Sequence, residues 1–417
     1  MAHWSGEFPA RIGKRSVAKV YVEWNDGIFK SHFDDASRVR YRLEKTGEEF
    51  EVQARWQHLQ VELRNIETRD NLKGSKICLG WNHNSNTNFI LAGTGGNYTG
   101  TGMDAGNWMQ RNLALIGNKT LKDIYIPGSH NAGMSLRSSG TMFGEECNTV
   151  TQSKSVKQQL ELGVRYLDIR PVISGGKYYT GHYTRVDAIN SWQGASGVSI
   201  EDIVNDINDF TSSRNELIIV KLWHSLNTDV GNSSYRKFDK SEWDGLFDQL
   251  INLKSRVIGN YDDVTKLKIG ELISERSSVV IVSENNDVGK WKSEGVYPAS
   301  ALLVYDKYAD TDSLDRMADD QIQKLRRESS GEKLFLLSWT LTQSAVDAVS
   351  CGSSDVWSDI GSIIFLADHA NKALSERIYP EIVRGHYPNV IYLDNVVDDQ
   401  AAALSMANNI TKYMDEL

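Results

Sequence analysis

Apolar and polar positions follow two different rhythms in this chain. In the first hundred residues, Val17–Trp24, Val39–Leu43, Glu49–Trp56 and Leu59–Leu63 alternate with a period of two and are rich in β-branched and aromatic side chains. That pattern marks strands with one buried face. Asn25-Asp26-Gly27 and Lys45-Thr46-Gly47 separate the runs as turns. Residues 1–91 are therefore expected to form a small antiparallel β domain of sandwich type. Residues 92–106 carry glycine at 93, 95, 96, 100, 102 and 106 among Thr and Asn, which predicts a flexible linker.

From 107 to 417 the rhythm changes to short continuous apolar runs separated by helical periods. The runs are Leu121–Ile126, Val164–Ile169, Leu217–Leu222, Val279–Val282, Ala301–Val304, Leu334–Leu337 and Val390–Leu393. Such runs suit strands buried on both faces. Between them, Ile200, Ile203, Val204, Ile207 and Phe210 share one helical face, with Ser199 and Asp202 placed to cap it. Trp243, Leu246, Phe247 and Leu250 mark another helix. Strand–helix alternation over this length predicts an α/β fold, an irregular (β/α) TIM-type barrel, with an open doubly wound sheet as the alternative.

Composition narrows the partners. Hydrophobic residues at 40% and charged residues at 24% are those of a globular chain. A net charge of -9 disfavours nucleic acid as a partner. Arg11, Lys14, Arg15 and Lys19 form a local basic cluster that reads as a solvated face. Cys78, Cys147 and Cys351 include no CxxC pair, which excludes a zinc ribbon. A reduced compartment is the simplest reading of that odd count, with a single disulfide left open. No apolar run reaches the roughly 18 residues of a membrane span. The opening residues lack an apolar signal core, so a cytoplasmic chain or a mature secreted form is expected.

Active groups of a barrel sit where its strands end. His130 and Asn131 follow the first run, Asp168 and Arg170 close the second, and His182 ends the short pattern Tyr178–Tyr183. His224 follows the third run, Asp306 and Tyr308 follow Ala301–Val304, and Asp394 follows the last. The set suits phosphoryl transfer. Two histidines titrating near neutrality can act as base and acid. An arginine fork can hold phosphate oxygens. A carboxylate can orient the base.

Ile126-Pro127-Gly128-Ser129-His130-Asn131-Ala132-Gly133, with Leu167-Asp168-Ile169-Arg170-Pro171 and Gly181-His182, resembles the catalytic X domain of phosphatidylinositol-specific phospholipases C. The likeness runs over about residues 108–417. It implies an irregular barrel in which a lipid-linked phosphodiester is cleaved by attack of the inositol 2-hydroxyl, releasing diacylglycerol and a 1,2-cyclic inositol phosphate. By that resemblance His130 is the base, His182 protonates the leaving oxygen, Asp394 orients His130, and Asp168 with Arg170 flanks the phosphate. The substrate would be a phospholipid met peripherally at a membrane surface.

The family has calcium-binding and metal-independent members. Asn131 matches the former, but Arg170 takes an acidic position and Trp223 stands where a glutamate is expected. Calcium needs six to eight oxygen ligands. The resemblance is therefore to the bacterial-type, metal-independent branch, with no cofactor, and Asn131 is left to bind phosphate or inositol. Asp306 and Tyr308 resemble the head-group contacts of that branch, and His224 is a further rim candidate. Ser283 and Glu284 stand where an inositol-binding arginine is expected, which leaves the head group open. Met142 and Phe143 are candidates for a membrane-touching loop. Two alternatives remain. One is a metal-dependent glycerophosphodiester or sphingomyelin phosphodiesterase. The other is a binding protein with a vestigial barrel, whose N-terminal domain recognises lipid, carbohydrate or protein.

Overall fold

A computed structural model describes residues 12–13, 15–18, 36–55, 58–80, 87–344, 347–348 and 361–413. The strand expected at 17–24 lies outside them apart from its first two residues, as do Trp24, Trp56, Trp81, Trp357 and Cys351. The other N-terminal runs form strands β1 (Ala36–Arg42), β2 (Glu49–Arg55) and β3 (His58–Leu63), joined by β4 (Lys76–Cys78) in one antiparallel sheet ordered β1-β2-β3-β4. Alternation sets the register: Val39 faces Val52 and Tyr41 faces Phe50. Val61, Leu63, Ile66 and Ile77 form its small core with Tyr98. Among the described residues no second full sheet faces this one.

The glycine-rich segment folds as a ribbon of β5 (Leu91–Thr94) and β6 (Asn97–Gly100). Its glycines serve the turn. Gly95 and Gly96 have φ of +60° and +90°, the left-handed values a two-residue hairpin turn requires. A Cβ at Gly100 would sit 1.9 Å from the carbonyl oxygen of Ile90. The ribbon packs on the last helix, Gln400–Tyr413.

The barrel strands are β7 (Ile126–Ser129), β9 (Tyr166–Ile169), β13 (Leu217–Leu222), β15 (Ser278–Ser283), β16 (Val296–Pro298), β17 (Val304–Asp306), β18 (Leu334–Trp339) and β19 (Val390–Leu393). They form one eight-stranded sheet ordered β16-β15-β13-β9-β7-β19-β18-β17, parallel throughout. β16 and β17 are its two edges. The strands depart from the expected runs in three places. Leu121 and Ile124 pack in the core below the barrel rather than in β7. Ala299–Ala301 is a 3-10 turn, so β17 starts only at Val304. β16 is an extra short strand, stopped by Pro298.

Strand parity sorts the core. Ile218, Val220 and Leu222 of β13 pack outward with Ile203, Ile207 and Phe247 of the surrounding helices. Leu217 and Ile219 point inward with Tyr166, Val280, Leu336 and Val390. The helices expected from apolar spacing are Ile200–Thr211 and Lys240–Leu250, and Ser199 caps the first by accepting from the Asp202 N–H at 3.0 Å.

A second sheet rises from the barrel rim. It contains β8 (Ser139–Gly140), β10 (Pro171–Ser174), β11 (Lys177–Val186), β12 (Ser191–Ser199) and β14 (Leu226–Asn227), ordered β14-β10-β11-β12-β8. The short run expected to end at His182 is thus a ten-residue strand that continues to Val186. It continues because β12 pairs with it along its length, His182 against Ala195. Cys147 is disulfide-bonded and Cys78 is a free, exposed thiol, so the single-disulfide alternative holds over the fully reduced reading.

Candidate active site

Inward parity carries the chain from hydrocarbon to chemistry at the upper end of the barrel. Along β9 the inward residues are Tyr166 and Asp168, then Arg170 just beyond. Along β19 they are Val390 and Tyr392, then Asp394. Along β7 they are Ile126 and Gly128, then His130. Gly128 is small because a Cβ there would lie 2.6 Å from Val390 Cγ1. Ser129 pairs with both Leu167 and Leu393, and the His130 N–H donates to the Leu393 carbonyl at 2.9 Å. His130 is thereby seated between Asp168 and Asp394.

The polar contacts form one chain. His130 Nδ1 lies 2.7 Å from Asp394 Oδ1. Its Nε2 lies 2.6 Å from Arg170 Nη2. A guanidinium has donors only, so Nε2 is the acceptor there and Nδ1–H donates to the carboxylate. Arg170 Nε donates to Asp168 Oδ2 at 3.1 Å. The same oxygen accepts from the Tyr392 hydroxyl at 2.6 Å and the Asn131 N–H at 3.2 Å. Burial pushes the Asp168 carboxyl up, but Arg170, His130, Lys221 and Tyr392 together outweigh it and hold Asp168 well below the usual carboxylate range.

His182 enters from β11. Its ring stands 6.3 Å from that of His130, nearly perpendicular to it. Its Nδ1 lies 3.1 Å from the Thr149 carbonyl, which fixes the proton there and leaves Nε2 as a lone pair. Burial, then the charge of Arg170 and the proximity of His130, push the ring down to about 3. Asn131 sits at φ +43°, donates through Nδ2 to the Gly181 carbonyl at 3.3 Å and has a buried, unpartnered Oδ1.

These groups, apart from the fully buried Asn131, line one side of a cleft of about 1690 Å³. Its other side holds His224, Asp306 and Tyr308. His224 has φ +58°, and burial followed by Arg170 pushes its ring down. Tyr308 is 58% exposed. Asp306 meets Lys221 Nζ at 3.1 Å. Lys221 escaped the sequence reading because it sits inside the apolar run of β13. Its inward parity with Ile219 was the available signal. Burial pushes its ammonium down, but Tyr166, Asp306 and Asp168 more than compensate and raise it. Tyr392 was missed for the same reason. Thr149, the last residue of the short helix Glu146–Thr149 and 33 residues from His182, had no signal.

The loop after β8 borders the cleft. Met142 is 83% exposed and Phe143 is 44% exposed. The Thr141 N–H donates to the Gly194 carbonyl at 2.9 Å, tying the loop to β12. No helix among the described residues is long and apolar enough to cross a membrane. Among the described residues no three His, Cys, Asp or Glu side chains converge as a metal set. Asn131 Oδ1 would suit a calcium ion, but Asp168 Oδ2 is already taken by Arg170, Tyr392 and the Asn131 N–H, so the donors do not fit one.

No family model matches the chain. It is 26% identical over 149 residues to the variant-surface-glycoprotein phospholipase C of Trypanosoma brucei brucei, covering 28% of this chain and 38% of that protein. It is 30% identical over 124 residues to a PI-PLC X domain-containing protein of Dictyostelium discoideum, covering 26% of this chain and 20% of that one. The chain therefore spans well under half the length of either relative. A solved phosphatidylinositol-specific phospholipase C of Staphylococcus aureus has the same fold, with a TM-score of 0.50 at 17% identity, over 72% of this chain and 97% of that one. The chain thus resembles the phosphatidylinositol-specific phospholipase C X-domain family in sequence and has that enzyme's barrel fold.

Proposed function

We propose that this chain is a phospholipase C-type phosphodiesterase acting on phosphatidylinositol or a related inositol phospholipid by acid–base catalysis. The observation that carries the reading is the chain Asp394–His130–Arg170–Asp168 with the His182 ring 6.3 Å from that of His130. His130 Nε2 takes the proton of the hydroxyl next to the phosphoester. That oxygen attacks phosphorus, and Arg170 holds the non-bridging oxygens. The bond from phosphorus to the glycerol oxygen breaks, and His182, which has first to take up a proton at Nε2 as the phosphate charge offsets that of Arg170, passes that proton to the leaving oxygen. The products are diacylglycerol and a cyclic inositol phosphate. Arg170 supplies the positive charge, so the reaction proceeds without calcium. His224, Asp306 and Tyr308 contact the head group, Asn131 lies behind the site rather than in the cleft, and Met142 and Phe143 enter the membrane surface.

Phosphatidylinositol vesicles test the reading. His130→Ala and His182→Ala should each lower turnover by about a hundredfold to ten-thousandfold, the range a positioned acid or base supplies. Full activity in either variant contradicts it.

A further inference from the structure

His130 Nε2 has to be open to take a proton, yet Arg170 covers it. Arg170 Nη2 lies 2.6 Å from it. The guanidinium is anchored on its other side by Asp168, through Nε at 3.1 Å. His130 is itself held from behind by Asp394 at 2.7 Å. Neither ring nor fork is loose, so the lone pair is capped by a built contact. A planar guanidinium binds phosphate oxygens in preference to a neutral imidazole, because the phosphate offers charge and two acceptors.

We propose that Arg170 is an anion-operated latch: it caps His130 Nε2 in the empty site and is drawn off by the substrate's phosphate oxygens, uncovering the base only when a phosphodiester is in place. This rests on the reading of His130 as the base and adds a regulation of it. The same event acts on His182. That ring faces Arg170, His130 and Asp168, with the Thr149 carbonyl at Nδ1, and Arg170 is the largest charge holding it unprotonated. An anion on Arg170 cancels that charge. One binding step thereby frees the base and favours protonation of the acid. It also keeps water from being activated in the empty site.

The test needs no turnover. Full-length protein labelled with 15N-histidine is followed by long-range 1H–15N spectra, with and without inorganic phosphate, at matched ionic strength in chloride. In the free protein the His130 Nε2 signal should show a hydrogen-bonded lone pair. Phosphate should move it to the position of an open one and raise the His182 midpoint by about one unit or more, the effect of cancelling a charge at that range. In Arg170→Met the signal should start at the open position and phosphate should not move it. The latch is overturned by phosphate that binds, as seen by 31P line broadening, while leaving the wild-type His130 signal unmoved. That wild-type result stands even if the variant fails to fold. A chain that shows the shift but cleaves no phosphodiester would overturn the proposed function and keep the latch. A chain that cleaves without the shift would do the reverse.

Discussion

His130 and His182 share a design: each has its Nδ1 proton engaged, by Asp394 and by the Thr149 carbonyl, and each directs Nε2 to the cleft. They differ in surroundings. His182 is pushed down to about 3, first by burial and then by Arg170. This has a stability consequence whose sign is fixed. A histidine lowered in the fold binds fewer protons folded than unfolded. Its contribution is complete above the ordinary value of about 6.5 and is lost as pH falls toward 3. Between those limits wild type should lose up to about 1.4 kcal/mol per pH unit relative to His182→Ala. Urea unfolding of both proteins at pH 7 and pH 5 measures it. A constant difference between them would contradict the burial of a neutral ring.

At the scale of elements, the barrel was legible because its strands are continuous apolar runs, and the site was legible where polar residues follow those runs. His130, Asp168, Arg170 and Asp394 fell into that pattern. Lys221 and Tyr392 did not, because they lie inside the runs and only parity reveals them. His182 was found by its motif but placed on the wrong kind of strand, since a hairpin partner 13 residues away, Ala195, extends β11 past it. The ribbon β5–β6 was hidden by glycines whose positive φ serves a turn, not flexibility. The loop after β8 gives the prediction at this scale. Replacing Met142 and Phe143 together by serine should lower turnover on vesicles severalfold and leave turnover of a soluble inositol phosphodiester unchanged. Equal losses on both substrates would place these residues in the cleft rather than at the surface.

For the molecule as a whole, residues 105–110, which lead into the barrel, are tied to it by a buried ion pair. Arg165 and Glu216 are fully buried and paired at 2.8 Å. Arg165 also donates to the carbonyls of Ala105 and Gly106, and Glu216 accepts from the N–H groups of Met109 and Gln110. Burial pushes the arginine down and the glutamate up, so each depends on the other. Arg165→Ala should cost about 3–5 kcal/mol by leaving Glu216 uncompensated, read as a fall in Tm. A loss under about 1 kcal/mol would mean the pair is not dry. The division into an N-terminal β domain, a connecting segment at 92–106 and a barrel from 107 is proposed on the same grounds.

The central claim is that two histidines and an arginine, without a metal, cleave an inositol phosphodiester by internal attack. The most direct measurement is 31P NMR of the products from phosphatidylinositol in the presence of EDTA. The expected result is an early resonance of a five-membered cyclic phosphodiester that precedes any inositol monophosphate. A monophosphate formed directly, or no product until a divalent ion is restored, would contradict it.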